Sequence, residues 1–570
     1  MTNILSKDPS LASPSELFQM GQAFSLGKGV KRDFKKAIEL WRLAGEKDHP
    51  EAQLRLSEVY LKGKKVRADL EESFKWLNKA AALGLAEAEF NLAKAYDLGQ
   101  PYGDQDFDEA RDFYAKAAGR GWPAAQARMG FSYWRGDLTE KDPAKAVKFF
   151  SLAADKGDRE GQYGLALAYE LGEGIEADLA QAGKYLKLAA NQGHVGAQSK
   201  LGLFYKNGRG VEKNLGEALK FLRLAADRGD VEAQYFLGSA YNEGHGVKKS
   251  PAKALKYMQL AADQGHAEAQ LDMGLFYSNG EGVQKNRSLG FKYLSLAADQ
   301  GVPDAQFWLG VEYNTGRAVA KNQRLAFKYF RLAADQGHYL AQFSLGQAYL
   351  LGEGVEKDIV QSNKYFGLSA DQGNLEAFLN LGINYYSGIG IERDYALAAK
   401  YWHFAADRGH ALAQSNLGQL YIEGKGVEKD PAMARKYFQM AADQGYAHAQ
   451  GFTGFLYCQG LGGDKDWDLG VKYLRMAADQ GELMGTFNLG KSFVEVEGAE
   501  KNLPESIKFI TLAANRGLPD ALYALGEAHE TGEGVKKNMA EAIQFYKRAA
   551  KGGFQKAYEK LRELEKKGII

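Results

Sequence analysis

The chain of 570 residues has a single cysteine, Cys458, so no disulfide can form within it, and a reducing compartment is the natural setting. Prolines number only eleven, and no Pro- or Ser-rich stretch divides the chain into halves. Neither sign of charge dominates. Against 73 Lys and Arg stand 72 Asp and Glu, and a net charge of +1 makes no field that would draw in nucleic acid or anionic lipid. No apolar run approaches the ~18 residues that span a bilayer. The opening MTNILSKDPSLASPSELF lacks the basic segment, apolar run and cleavage site of a secretory signal, and the closing KKGII offers no cysteine for a prenyl group. Together these absences predict a cytoplasmic protein with no membrane insertion.

Glycine is plentiful, at 67 residues, and much of it is periodic. Thirteen glycines from Gly121 to Gly553 recur every 36 residues without an insertion. One extra residue precedes Gly121, and the ruler then continues back through Gly84, Asp48 and Ala12. A fixed period of this length marks a stacked array in which each tile touches mainly its neighbours, rather than several globular domains.

Offsets counted from the marker glycine read as two helices. Offsets 2 to 14 (Ala267 to Asn279 in one tile) carry apolar and small residues at helical spacing. A G-x-G-V turn follows, here Gly280, Gly282 and Val283, and its first glycine ends the helix. Asn or Asp at offset 21, as at Asn286 and Asp358, caps the second helix, which runs to an A-A pair just before the next marker. Offset 9 is glycine in twelve tiles, among them Gly238, Gly310 and Gly346. Mid-helix glycine costs about 1 kcal/mol against alanine, so a neighbouring helix is expected to approach the backbone there. Offset 12 is aromatic in fourteen tiles and offset 28 usually so, filling the space the small residues leave. In the final repeat Arg562 and Glu565 replace the small and aromatic residues, as a capping helix requires. Three tiles deviate: residues 85–121 carry the insertion, residues 122–157 have GDLTEKDP in place of the usual loop, and residues 482–517 lose the loop glycine, with Val496 in its place.

The pattern A-E-A-Q-x-x-L-G-x-x-Y-x-x-G-x-G-V-x-K-[ND]-x-x-x-A-x-x-[YF]-x-x-x-A-A-x-x-G resembles the Sel-1-like repeat, a relative of the tetratricopeptide repeat. The resemblance implies an all-α fold: an α/α solenoid of about fifteen 36-residue helix-turn-helix repeats in a right-handed superhelix. The expected organisation is a tail at residues 1–11 and a continuous solenoid at 12–568, with a capping helix at 554–567. The resemblance also implies a scaffold or adaptor for other proteins, from a bacterial source. Some secreted relatives staple each repeat with a cysteine pair; this chain departs from them.

Most chemical motifs here have a structural reading. The G-x-G-V loops follow helices and lack the G-K-[ST] of a phosphate cradle. Histidines at offset 1 (His49, His194, His266, His338, His410) are connector residues, one per tile. Asp104, Asp106 and Asp108, like Asp464, Asp466 and Asp468, lack the glycine and glutamate of a calcium loop and read as helix caps. Lysines at offset 20, such as Lys213 and Lys357, form a solvated rim. No titratable cluster stands apart from the repeat, so no enzyme, metal or cofactor is expected.

By analogy with tetratricopeptide units, offsets 3, 6, 10 and 13 of the first helix face inward. They are often polar in the first half of the chain and turn apolar after residue 301. Phe307, Val311, Leu340, Phe343, Leu350, Leu379, Ile383, Tyr386, Phe455 and Phe487, with Trp308 beside them, are the candidate partner-binding residues of a concave face. The alternative is that they pack on one another between tiles. The partner is expected to be a protein or peptide, and the scaffold a monomer. A bacterial immunity or inhibitor protein wrapping a toxin is a narrower form of this reading, and an envelope protein binding glycan or peptidoglycan is the rival.

Overall fold

The computed structural model describes residues 8–63, 66–99, 101–495 and 501–570. These form thirty-one α-helices, from Pro14–Leu26 to Gln555–Lys566, after a short 3-10 turn at Pro9–Leu11. No strand occurs among the described residues. The chain gathers into two compact units, Met1–Lys285 and Asn286–Ile570.

One tile of the second unit shows how the repeat folds. Its first helix, Tyr339–Leu351, spans 13 residues. It starts at His338, whose Nδ1 accepts the Ala341 N–H at 3.1 Å. It stops at Gly352, which takes the left-handed conformation at φ 76°. Gly354 repeats that conformation and lies so close to the preceding tile that a Cβ there would collide with the Gln323 carbonyl. The second helix, Ile359–Asp371, starts at Asp358, whose carboxylate accepts the Gln361 N–H. Every helix bound that the spacing predicts is met within a residue in this tile.

The mid-helix glycine has the close neighbour expected of it. A Cβ on Gly346 would lie 2.7 Å from the Phe366 ring, and one on Gly238 would lie 2.6 Å from Met258 Cγ. Phe366 is fully buried, and burying such a ring stabilises the tile by about 2 kcal/mol. The residue that fills the notch is at offset 29, one place beyond the aromatic row at offset 28. The offset 28 ring instead stacks on offset 12 of its own tile: Tyr349 on Tyr365 at 5.8 Å and 8°, Tyr169 on Tyr185 at 6.0 Å and 7°.

Tiles are joined by a ladder of side-chain amides. Gln342, at offset 5, is 5% exposed and donates to the Ala334 carbonyl of the preceding tile. Gln372, at offset 35, donates to Gln342 Oε1 at 2.8 Å and to the Gly337 carbonyl at 2.8 Å. The same link recurs at Gln192 with Gln162 and at Gln480 with Gln450. Tile 85–121 exchanges both partners at once. Glu89 and Arg120 replace the two glutamines and pair at 3.0 Å, with Glu89 only 2% exposed.

The deviant tiles keep register. The inserted loop lays Tyr102 on Phe74 at 5.0 Å, with its hydroxyl 2.7 Å from Ser73 Oγ. In the tile after Gly481 the first helix, Leu483–Ser492, has 10 residues instead of 13. The Trp467 indole N–H donates to the Ser492 carbonyl at this early end. Val496 lies outside the described residues. The closing helix Gln555–Lys566 buries Ala557 and Leu564 and leaves Arg562 exposed.

Candidate functional site

Exposure on the first helices follows the packing between tiles. At offset 6 an aromatic ring stacks on the histidine that caps the next tile's first helix: Phe307 on His338 at 4.8 Å, Tyr163 on His194 at 4.1 Å, Phe18 on His49 at 4.7 Å. In two of these the far nitrogen faces a carboxylate, Nε2 of His338 lying 3.3 Å from Asp304 and that of His194 lying 3.1 Å from Glu160. These histidines are thus caps and inter-tile wedges. Asp106 and Asp466 are helix caps as well, accepting the Glu109 and Leu469 N–H groups.

Offset 6 is therefore committed to the tile junction, and the exposed line shifts to offset 7. Of the eleven candidate residues, Phe307 (7%), Leu379 (5%) and Phe487 (8%) are buried, whereas Trp308 is 39% exposed. Val311, Leu340, Phe343, Leu350, Ile383, Tyr386 and Phe455 are half-buried against inter-tile core clusters. Of the two neighbouring candidates, Phe307 is taken up by its stacking on His338, which the sequence does not reveal, and Trp308 is left at the surface.

What remains at the surface is offsets 7, 10, 13 and 14. In the five tiles between residues 302 and 461 these twenty positions hold ten apolar side chains, six amides, three hydroxyls and one charge, Glu423. All except Cys458 are at least partly exposed. Burial pushes the Cys458 thiol up to about 11. Consecutive tiles meet along this face. Val311, Asn314, Ser344 and Gln347 line one cleft of about 100 Å³. Phe455, Gln459 and Asn488 line another of about 480 Å³, which opens where the short helix ends. A third, about 690 Å³, lies beyond it between Phe487, Ile507, Tyr523 and Phe554.

In the first unit the same offsets are ionic. Arg128 lies 3.1 Å from both Asp97 and Asp137, and Asp97 also accepts the hydroxyl of the buried Tyr114. Burial alone would raise the Asp137 carboxyl, but hydrogen bonds from Arg128 and Ser132 hold it below its ordinary range. Glu170 and Lys200 pair at 2.9 Å two tiles further on. Asp137 belongs to the atypical GDLTEKDP loop, so that departure from the repeat supplies the counter-charge of Arg128. Among the described residues no group of three or more His, Cys, Asp or Glu is gathered as a metal would need, and no helix is long and apolar enough to cross a membrane.

The class these features define is an α/α solenoid whose first helices offer a tile-by-tile surface. The Sel1 repeat model matches thirteen consecutive segments from 17–49 to 447–482, and then 519–554. The chain belongs to the Sel1 repeat family. The match passes over the tile with the shortened helix. A solved structure, c5321, a protective antigen of uropathogenic Escherichia coli strains displaying an SLR fold, is similar with a TM-score of 0.67 and 29% identity, over 85% of this chain and 97% of that one. Chitin synthase regulatory factor 3 of Schizosaccharomyces pombe is 30% identical over 130 residues, which is 22% of this chain and 14% of that protein. An uncharacterised protein of Neisseria meningitidis serogroup B is 32% identical over 110 residues, 19% of this chain and 22% of that protein. The chain thus matches less than a quarter of the length of either curated relative.

Proposed function

We propose that the chain is a non-enzymatic scaffold that holds a protein partner against the first-helix face of its second unit. The observation that carries this reading is the exposed indole of Trp308 on a face with one charge in twenty positions. Large aromatic side chains with little rotamer entropy anchor protein interfaces, and charge is depleted at the centre of such interfaces. The capping histidines and the Arg128 cluster are occupied in holding tiles together. The scaffold acts as a monomer in a reducing compartment, in keeping with its single buried thiol, and its net charge of +1 supplies no overall basic field for nucleic acid.

The test is affinity capture from native lysate with the wild-type chain beside a Trp308→Asp, Leu351→Asp variant. Both residues are exposed, so thermal unfolding should shift by no more than about 0.5 kcal/mol per substitution. A captured protein that rebinds in purified form and is lost in the variant supports the reading. Equal retention by the variant, or turnover in a screen of hydrolase and transferase substrates, overturns it.

A further inference from the structure

We infer that the junction between the first helices Val231–Glu243 and Ala267–Asn279 of the first unit is a proton-operated joint, tightened when Asp272 takes up one proton. It would work whatever the chain binds. At two other junctions of this unit offsets 13 and 7 bring opposite charges together, Asp97 on Arg128 and Glu170 on Lys200. Here the same offsets hold Asn242 and Asp272, and no cation answers the carboxylate. Asp272 is half-buried and makes no hydrogen bond or ion pair among the described residues. The charges that bear on it are both negative: Glu243, at the end of the preceding first helix, and Glu268, one turn earlier on its own helix. The second helix packed between them, Pro251–Asp263, brings no charge to bear on it. The histidines nearby are engaged elsewhere. His266 lies 3.3 Å from Glu268 and 3.6 Å from Glu232, and His245 lies 2.7 Å from Glu243.

Burying a carboxylate without a counter-charge disfavours its ionised form, and neighbouring like charges add to that. Burial, then Glu243 and then Glu268, push the Asp272 carboxyl up to about 6. The neighbouring phenol feels the same field. Tyr235, whose ring stacks on His266 at 4.4 Å, is pushed up to about 12 by burial and then by Asp272, Glu268, Glu243 and Glu232. A carboxyl raised above its ordinary 3.8 in the folded chain holds its proton more tightly there than when the junction opens. The junction is therefore weakest above about pH 6, where all three carboxylates are charged. It firms as pH falls through about 6, and the gain is complete near the ordinary value of 3.8. The protonated carboxyl also becomes a donor, on a junction whose facing helix end carries Asn242 and Glu243 as acceptors. Asp137 responds in the opposite direction and at lower pH, so the two effects separate within one chain.

The experiment is amide hydrogen exchange on the full chain, wild type beside Asp272→Asn, at about pH 7.5 and about pH 5. Rates are read as protection factors, so that intrinsic exchange cancels. In wild type, protection across residues 231–279 should rise about tenfold at the lower pH, which lies about one unit below the folded midpoint. Asp272→Asn carries a neutral side chain at every pH and should show the higher protection at both. Glu268→Gln removes one of the two like charges and should shrink the rise. A rise of the same size in Asp272→Asn, a rise spread equally over residues 97–137, or no rise in wild type overturns the inference. Each of those results leaves the scaffold reading standing, because that reading rests on capture through Trp308 in the other unit.

Discussion

Between Pro50 and Asn207 the first helices carry ten charged side chains at the twenty positions of offsets 7, 10, 13 and 14, and between Pro303 and Gln459 they carry one. In the first unit these positions pair offset 13 of one tile with offset 7 of the next, Asp97 on Arg128 and Glu170 on Lys200. The second sets Tyr386 and Ile422 among apolar clusters. The last junction returns to charge, with Glu530 on Lys560 at 3.0 Å. Two chemistries thus serve one set of offsets, and the difference is free to be spent on binding. The neutral stretch is where a partner can be held without displacing an ion pair.

The largest effect should be the one both units share. Gly346→Leu in the second unit and Gly238→Leu in the first would each drive a side chain into Phe366 or Met258. Each should cost about 3 kcal/mol, the upper range of overpacking, read by chemical denaturation and by hydrogen exchange around the altered tile. A loss in one unit only would break the claim that the two are built alike.

A smaller effect should separate them. Arg128→Met leaves Asp97 (17% exposed) and Asp137 (36%) without their cation. That should cost about 2 kcal/mol, less than for a fully buried pair because water reaches both carboxylates. Ser344→Ala at the matching offset of the second unit should stay within about 0.5 kcal/mol. The acid limb sharpens the contrast. The Asp137 carboxyl has a depressed pKa in the folded chain, so its contribution is present above the ordinary value of 3.8 and is lost as pH falls through the lower, folded value. In wild type, exchange protection around residues 97–137 should therefore fall below about pH 4, and Arg128→Met should abolish that step.

The sequence periodicity locates the helices, their caps and the close approach at offset 9, since each depends on residues within one tile. Ala267–Asn279 has the bounds that spacing predicts. What periodicity does not reveal is which row meets which. Offsets 28 and 29 are both large, and only the fold shows Phe366 under Gly346 and Tyr365 against Tyr349. The same gap left Phe307 and Trp308 side by side among the candidate residues, and only the fold shows the first buried and the second exposed. The amide ladder was visible as A-E-A-Q and A-D-Q-G, but two glutamines thirty residues apart are read as a pair only when the tiles are stacked.

That ladder supplies the finest contrast between the units. Gln53, Gln126 and Gln198 each leave Oε1 buried and unpaired, and all three are in the first unit. In their tiles offset 35 is Leu83, Lys156 or Arg228 instead of glutamine. Lys156 and Arg228 still reach the marker-glycine carbonyls of Gly121 and Gly193, but neither bonds the glutamine oxygen. In the second unit Gln336, Gln372, Gln444 and Gln480 close every such pair described there. Arg228→Gln should let one side chain serve both acceptors, as Gln372 does, and should stabilise the first unit by about 0.5 kcal/mol. Differential unfolding of the two proteins in urea measures it. A destabilised variant would mean that the Arg228 bond to Gly193 outweighs the repaired amide, and that the breaks in the first unit's ladder are compensated where they occur.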